Sequence, residues 1–148
     1  MSKLSILYGL DSELAIFRTL KYFWIRDEEA RPLLAILCTT VRDRILRLSI
    51  PFILQMQEGE LFQKEKLDQH IEGFKENSFT KSTLESTVRN LSSSWTLSGH
   101  LKGRLKKFCS KVIATPRAVS YALFLGYLTG LRGKALKMAG SWLQDMHP

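Results

Sequence analysis

Basic side chains are concentrated in one part of this sequence, between Lys81 and Lys111. Seven Lys and Arg residues occur there against a single acid, Glu85, so the segment carries +6 of the chain's net charge of +8. A surface that only needs to remain soluble mixes both signs of charge. Cations with so few counter-charges indicate a polyanionic partner, either a nucleic acid or the acidic face of a membrane.

The first half of this segment predicts an amphipathic helix at about residues 80–98. Its apolar residues are spaced by four, three and four, which puts them on one narrow stripe. They are Leu84, Val88, Leu91 and Trp95. The opposite face carries small hydrogen-bonding side chains around one arginine. These are Ser82, Ser86, Arg89, Asn90 and Ser93, with Lys81 at the helix start. Such groups can lie close to a phosphate backbone or in a groove, so we predict that this face binds nucleic acid.

The second half predicts a basic β-hairpin at about residues 100–113, after the helix ends at Gly99. Apolar residues alternate with lysines, and we place the hairpin turn near Cys109 and Ser110. Its expected phosphate-binding residues are His100, Lys102, Arg104, Lys106 and Lys107. A general-base role for His100 is disfavoured because no nucleophile or acid partner accompanies it.

Motifs for catalysis and metal binding are missing from the sequence. It contains no G-x-S-x-G, P-loop, H-E-x-x-H or paired-cysteine zinc pattern. We therefore expect a protein that is not an enzyme and that needs no metal or cofactor. Cys38 and Cys109 lack a ligand spacing, and Cys38 lies in an apolar run. Reduced cysteines favour a cytoplasmic location.

The remaining elements are predicted to be mostly helical. We expect helices at Ser12 to Trp24, from Pro32, and from an Asp43 cap, with Pro51 causing a break or kink near Ile50. A short strand at Leu61–Phe62 and a helix from Lys64 to Phe74 follow. Either Thr80 or Ser82 is the cap of the amphipathic helix. Thr115–Pro116 starts an apolar helix that Gly130 and Gly133 end, and a short amphipathic piece follows at Leu136 to Met146.

The order from Leu61 onward is strand, helix, turn, helix, basic hairpin and helix. This is the order of a winged helix-turn-helix, in which the second helix enters the major groove and the wing touches the flanking backbone. The predicted fold is mainly α. It comprises a helical N-terminal subdomain (1–58) and a winged helix-turn-helix with a β-hairpin wing and C-terminal helices (59–148), which form one compact unit.

Two stretches resemble a known family. "STLESTVRNLSSSWTLSGHLKGR" and "ATPRAVSYALFLGYLTGLRG" resemble small winged-helix accessory proteins of bacterial phage-defence islands, similar to the DNA-binding accessory protein of BREX (bacteriophage exclusion) systems. The resemblance implies a non-catalytic helper that binds double-stranded DNA beside larger defence-system proteins. On the matching helix and wing it covers Ser86, Arg89, Asn90, Ser93, Lys102 and Arg104.

Other functions remain open from the sequence. A protein-protein adaptor would bring the basic surface to an acidic partner, and the helical first half could support a homodimer. Structured RNA is a further possible ligand. A transcription regulator would place an effector near Tyr121, Phe124 and Tyr127, although these aromatics fit a core. The apolar run from Ala118 to Leu131 is too short to span a bilayer.

Overall fold

A computed structural model describes residues 3–74 and 80–129 of the protein. The described residues are mainly helical and include a small antiparallel sheet, so the predicted mainly α class is confirmed. The elements in chain order are α1 (Lys3–Arg26), α2 (Arg31–Arg42), α3 (Arg44–Gln55), α4 (Lys64–Gly73), α5 (Lys81–Leu97), β1 (Leu101–Lys102), β2 (Phe108–Cys109) and α6 (Pro116–Thr129). The predicted ends of the last helix at Gly130 and Gly133, and the piece at 136–146, lie outside the described residues.

Two compact units divide the chain. Unit 1 draws on Met1–Val41 and Ala114–Pro148, and unit 2 is Arg42–Ile113. This grouping differs from the predicted division at residue 58, because α3 packs on α4 and belongs with the elements that follow it. Unit 2 contains the whole basic segment of the sequence.

Unit 1 is built around α1 and α6, which contact each other. The buried Tyr121 hydroxyl donates to the Ile16 carbonyl oxygen over 3.1 Å. The Thr115 hydroxyl caps α6, as predicted, by accepting a hydrogen bond from the Ala118 amide. The same hydroxyl donates a hydrogen bond to the Asp27 carboxylate over 2.7 Å. None of the helices in the described ranges combines the length and apolar character that crossing a bilayer requires.

Side-chain caps begin two helices of unit 2, α3 and α5, whereas α4 begins without one. The Asp43 carboxylate accepts the Ile45 and Leu46 amides at the start of α3, as predicted. Thr80, rather than Ser82, caps α5 by accepting the Thr83 amide over 3.1 Å. Each cap satisfies amides that the helix itself leaves without an acceptor.

Of the predicted break or kink near Ile50, the break is wrong, because α3 continues through Pro51 to Gln55. Proline removes one amide donor from a helix and usually interrupts it. Here Ile50 and Ile53 are both buried, so side chains on either side of the proline hold α3 in the core. Burial thus outweighs the lost hydrogen bond.

A hairpin and one further segment form the sheet of unit 2. β1 pairs antiparallel with β2, with Leu101 opposite Cys109 and Lys102 opposite Phe108. The predicted strand at Leu61 is reduced to an isolated bridge with Phe108. Hydrogen bonds on both sides of this bridge, Phe62 amide to Lys107 carbonyl and Cys109 amide to Glu60 carbonyl, are each 2.8 Å long. β2 therefore lies between β1 and the segment that precedes α4.

The predicted turn near Cys109–Ser110 is wrong, since the chain reverses between β1 and β2, at residues 103–107. Gly103 has a φ angle of 122°, a conformation that side-chain-bearing residues rarely adopt. The glycine therefore sets the position of the turn, and Cys109 lies in β2, where it pairs with Leu101 of β1.

Trp95 is the centre of the unit 2 core. The predicted stripe of α5 is confirmed, because Leu84, Val88, Leu91 and Trp95 are all buried. The Trp95 indole N–H donates to the buried Ser49 hydroxyl over 2.8 Å, and Ser49 donates onward to the Leu46 carbonyl oxygen over 2.6 Å. This short chain of hydrogen bonds connects α5 to α3 inside the core.

Replacing Ser49 with alanine should destabilise the protein. The substitution leaves the buried indole N–H without its acceptor, which costs about 1–3 kcal/mol. Urea denaturation followed by tryptophan fluorescence would measure the loss. The control is Ser93→Ala on the exposed face of α5, where a change within about 0.5 kcal/mol is expected. Equal stability of Ser49→Ala and the wild type would contradict the importance of this hydrogen bond.

Candidate nucleic-acid interface

The polar face of α5 is exposed. Its predicted binding residues all lie in contact with solvent, and they are Lys81, Ser82, Ser86, Arg89, Asn90 and Ser93. Because the apolar stripe on the opposite side is buried, α5 cannot rotate without exposing that stripe. Leu97 follows on the same polar face and is 80% exposed. The face therefore offers small polar groups, one guanidinium and one apolar side chain to a partner.

The hairpin turn carries the second group of exposed cations. Lys102, Arg104 and Lys106 are exposed. Leu105, which lies between Arg104 and Lys106, is fully exposed. Among the described residues, the side chains of Arg104 and Lys106 have no hydrogen bond or ion pair. Their charges are therefore available to an anion without first breaking an internal contact.

Lys107 differs from these neighbours. Its ammonium group donates to the Thr96 hydroxyl over 2.7 Å and is partly buried. The hydrogen bond joins the second limb of the hairpin to the last turn of α5. Lys107 is among the predicted phosphate-binding residues, and in the structure its half-buried ammonium group is hydrogen-bonded to Thr96.

His100 does not lie on the surface, in contrast to its predicted phosphate-binding role. Its side chain is only 6% exposed and packs edge-on against Trp95, with ring centroids 4.9 Å apart. The Ser98 hydroxyl donates to the Trp95 carbonyl oxygen, so the 2.7 Å contact between Ser98 and His100 is a donation from His100 Nδ1–H. Burial lowers the pKa of His100 to about 4, so the ring is neutral near pH 7 and cannot pair with a phosphate as a cation.

A groove lies between the hairpin turn and the start of α4. It has a volume of about 350 Å³ and is lined by residues 61–65 and 104–107. The exposed Lys64 lies in this lining beside Arg104 and Lys106. Lys64 is not among the predicted binding residues, because it lies in the mixed-charge stretch "QKEK", far from the basic segment in sequence. The strand-like pattern at Leu61–Phe62 was the one signal that the two regions meet.

Asp68 on α4 has acidic neighbours on both α4 and α5. Burial raises the pKa of the Asp68 carboxyl group, and the neighbouring carboxylates of Glu65, Glu72 and Glu85 raise it further. Glu85 is the single acid of the basic segment, and it acts on an α4 carboxyl group. No cluster of His, Cys, Asp or Glu in the described ranges could hold a metal ion.

Comparison of the chain with protein-family models, with curated proteins and with solved structures gave no match in any of the three. The resemblance to phage-defence accessory proteins therefore stays a prediction from the sequence.

Substitution of Gly103 by alanine should disrupt the hairpin turn. An added Cβ would collide with the Lys106 carbonyl group, and the φ angle of 122° is strained for any other residue. We expect a loss of about 1–3 kcal/mol in the free energy of unfolding, or a rearranged turn. Chemical denaturation and amide NMR shifts of residues 101–109 would detect either result. Gly73→Ala is the matched control, because nothing lies within 4 Å of its added Cβ.

The buried His100 should make stability depend on pH. The pKa of His100 is about 4 in the folded protein, against 6.5 for a solvent-exposed histidine such as that of the unfolded chain. The unfolded chain therefore takes up this proton first as the pH falls, and stabilisation present above pH 6.5 is lost towards pH 4. We expect wild type to lose about 2–3 kcal/mol more than His100→Phe between about pH 7.5 and about pH 4.5. Urea denaturation at both pH values tests this, and parallel losses in the two proteins would refute it.

Proposed function

We propose that unit 2 is a winged helix-turn-helix that binds double-stranded DNA without catalysis. The observation that carries the proposal is that the polar face of α5 is exposed, and that the hairpin in contact with α5 exposes the unpaired cations Arg104 and Lys106. A helix of small polar residues next to a basic hairpin suits the shape and charge of a DNA duplex.

The arrangement of elements supports this proposal. A winged helix-turn-helix has a helix, a short strand, two further helices and a hairpin whose second strand pairs with the first short strand. In unit 2, α3 is followed by the bridge residue Leu61, then α4, α5 and the β1–β2 hairpin, and β2 contacts both β1 and Leu61. On this assignment α5 is the recognition helix and residues 103–107 are the tip of the wing.

Each part of the surface has a separate task in the proposal. Arg89 and Asn90 reach base edges from α5, while Ser82, Ser86 and Ser93 allow a close approach to the groove. Lys102, Arg104 and Lys106 neutralise phosphates from the wing. Because α5 offers one guanidinium and one amide, we expect shape and charge to contribute more to binding than base sequence does.

The cellular role is a wider proposal. The likeness of "NLSSSWTLSGHLKGR" to phage-defence accessory proteins supports a helper that brings larger defence-system proteins to DNA in the bacterial cytoplasm. This part rests on the sequence alone, whereas DNA binding has the additional support of exposed charge and element order.

Binding to a duplex of random sequence should depend steeply on salt. The proposed surface has five exposed cations, Lys81, Arg89, Lys102, Arg104 and Lys106. If they neutralise about four to five phosphates, the logarithm of the binding constant falls with the logarithm of salt concentration with a slope of roughly −4. Fluorescence anisotropy of a labelled duplex across a salt series measures the slope. The double variant Arg89→Glu with Arg104→Glu should lose binding by at least about 100-fold, since two attractive charges become repulsive.

A matched control keeps the total charge the same. Arg18→Glu with Arg117→Glu reverses two exposed arginines of unit 1 and should bind DNA within about threefold of wild type. If both double variants lose DNA binding equally, DNA binding depends on the net charge of the protein and not on the proposed surface. A slope near zero would exclude DNA binding, and preference for duplex RNA in competition would replace DNA by RNA as the ligand.

A further inference from the structure

The groove between the wing tip and α4 has both apolar and cationic walls. Leu61 is 41% exposed and Leu105 is fully exposed, and they lie in the lining with the buried Phe62. Lys64, Arg104 and Lys106 contribute positive charge, against one acid in the lining, Glu65. The groove therefore has places for an apolar group and for anionic groups close together.

The dimensions of the groove limit what can enter it. Its volume of about 350 Å³ is at the low end of the roughly 300–1,000 Å³ found for ligand pockets. A duplex can touch the rim through its phosphates, but it has no protruding apolar side chain to cover the leucines. An extended peptide presents single side chains at this scale and carries carboxylates beside apolar residues.

We propose that this groove binds an acidic peptide segment of a partner protein, with one apolar side chain against Leu61 and Leu105 and flanking Asp or Glu side chains at Lys64, Arg104 and Lys106. The complementarity of charge identifies the partner as acidic, and the two exposed leucines require an apolar residue in it. Leu61 and Lys64 lie outside the proposed DNA surface, so variants of these two residues test peptide binding apart from DNA binding.

Sharing of residues has a consequence for regulation. Arg104 and Lys106 belong to both the groove rim and the wing, so an acidic peptide in the groove occupies cations that phosphates need. Peptide and DNA therefore compete for unit 2. A partner that carries the peptide would release unit 2 from DNA, and DNA would in turn displace the peptide.

The experiment is selection of a random peptide display library on the full protein, followed by fluorescence anisotropy of the selected synthetic peptides in the absence of DNA. We expect enriched sequences to combine net negative charge with one recurrent apolar position. Lys64→Glu and Leu61→Ser should each weaken their binding by about tenfold or more. Lys66→Glu, an equal charge change on an exposed α4 residue outside the lining, should stay within about twofold.

Several outcomes would overturn the inference. It fails if no peptide is enriched, if enriched peptides are not acidic, or if Lys64→Glu and Lys66→Glu weaken binding equally. A groove that serves DNA alone would yield no peptide, and Lys64→Glu would then weaken duplex binding as strongly as Arg104→Glu. Circular dichroism of each variant ensures that a loss is not due to unfolding. Duplex binding of wild type is measured separately, so failure of the peptide site leaves the DNA result standing.

Discussion

The buried indole of Trp95 is the constraint on which unit 2 depends. Its N–H requires an acceptor in the core, and Ser49 on α3 supplies it. Its ring packs on His100, whose neutral imidazole is fixed by Ser98. One side chain thus sets the rotation of α5 and the point where the chain leaves it for β1. With Trp95 inward, the face that carries Arg89 and Ser93 must point to solvent.

Two contacts near the end of α5 hold the hairpin, in addition to its backbone hydrogen bonds with the segment before α4. The Ser110 amide donates to the His100 carbonyl oxygen over 2.9 Å, which extends the pairing of the two strands towards α5. Lys107 adds its bond to Thr96 from the second limb. Between these attachments, Gly103 allows the tight reversal that leaves Arg104 and Lys106 outside. These contacts and the turn at Gly103 therefore determine both the position and the exposure of Arg104 and Lys106.

Local features of the sequence predicted the helices well, and long-range contacts account for the errors. The α5 stripe and the Asp43 and Thr115 caps follow from periodicity and side-chain type in the local sequence. The same local features leave both Thr80 and Ser82 as candidate caps of α5, and the structure selects Thr80. His100 was misplaced because its environment is made by the Trp95 ring and by strand pairing, neither of which a pattern of lysines reveals. The groove was missed for the same reason, since Lys64 meets the wing through the bridge of Leu61 with Phe108.

Charge alone does not decide which cations of the basic segment are available to a partner. Arg104 and Lys107 are three residues apart, yet one is exposed and the other is tied to Thr96. A partner therefore meets a small, fixed set of charges on a short hairpin that is attached at both limbs. For the proposed ligands, this implies that the spacing of anions matters more than adaptation of the hairpin, because moving the hairpin would break the bond from Lys107 to Thr96. On the same two proposals, a phosphate backbone would use the charges of Arg104 and Lys106 alone, and an acidic peptide would use these charges together with the exposed Leu105 between them.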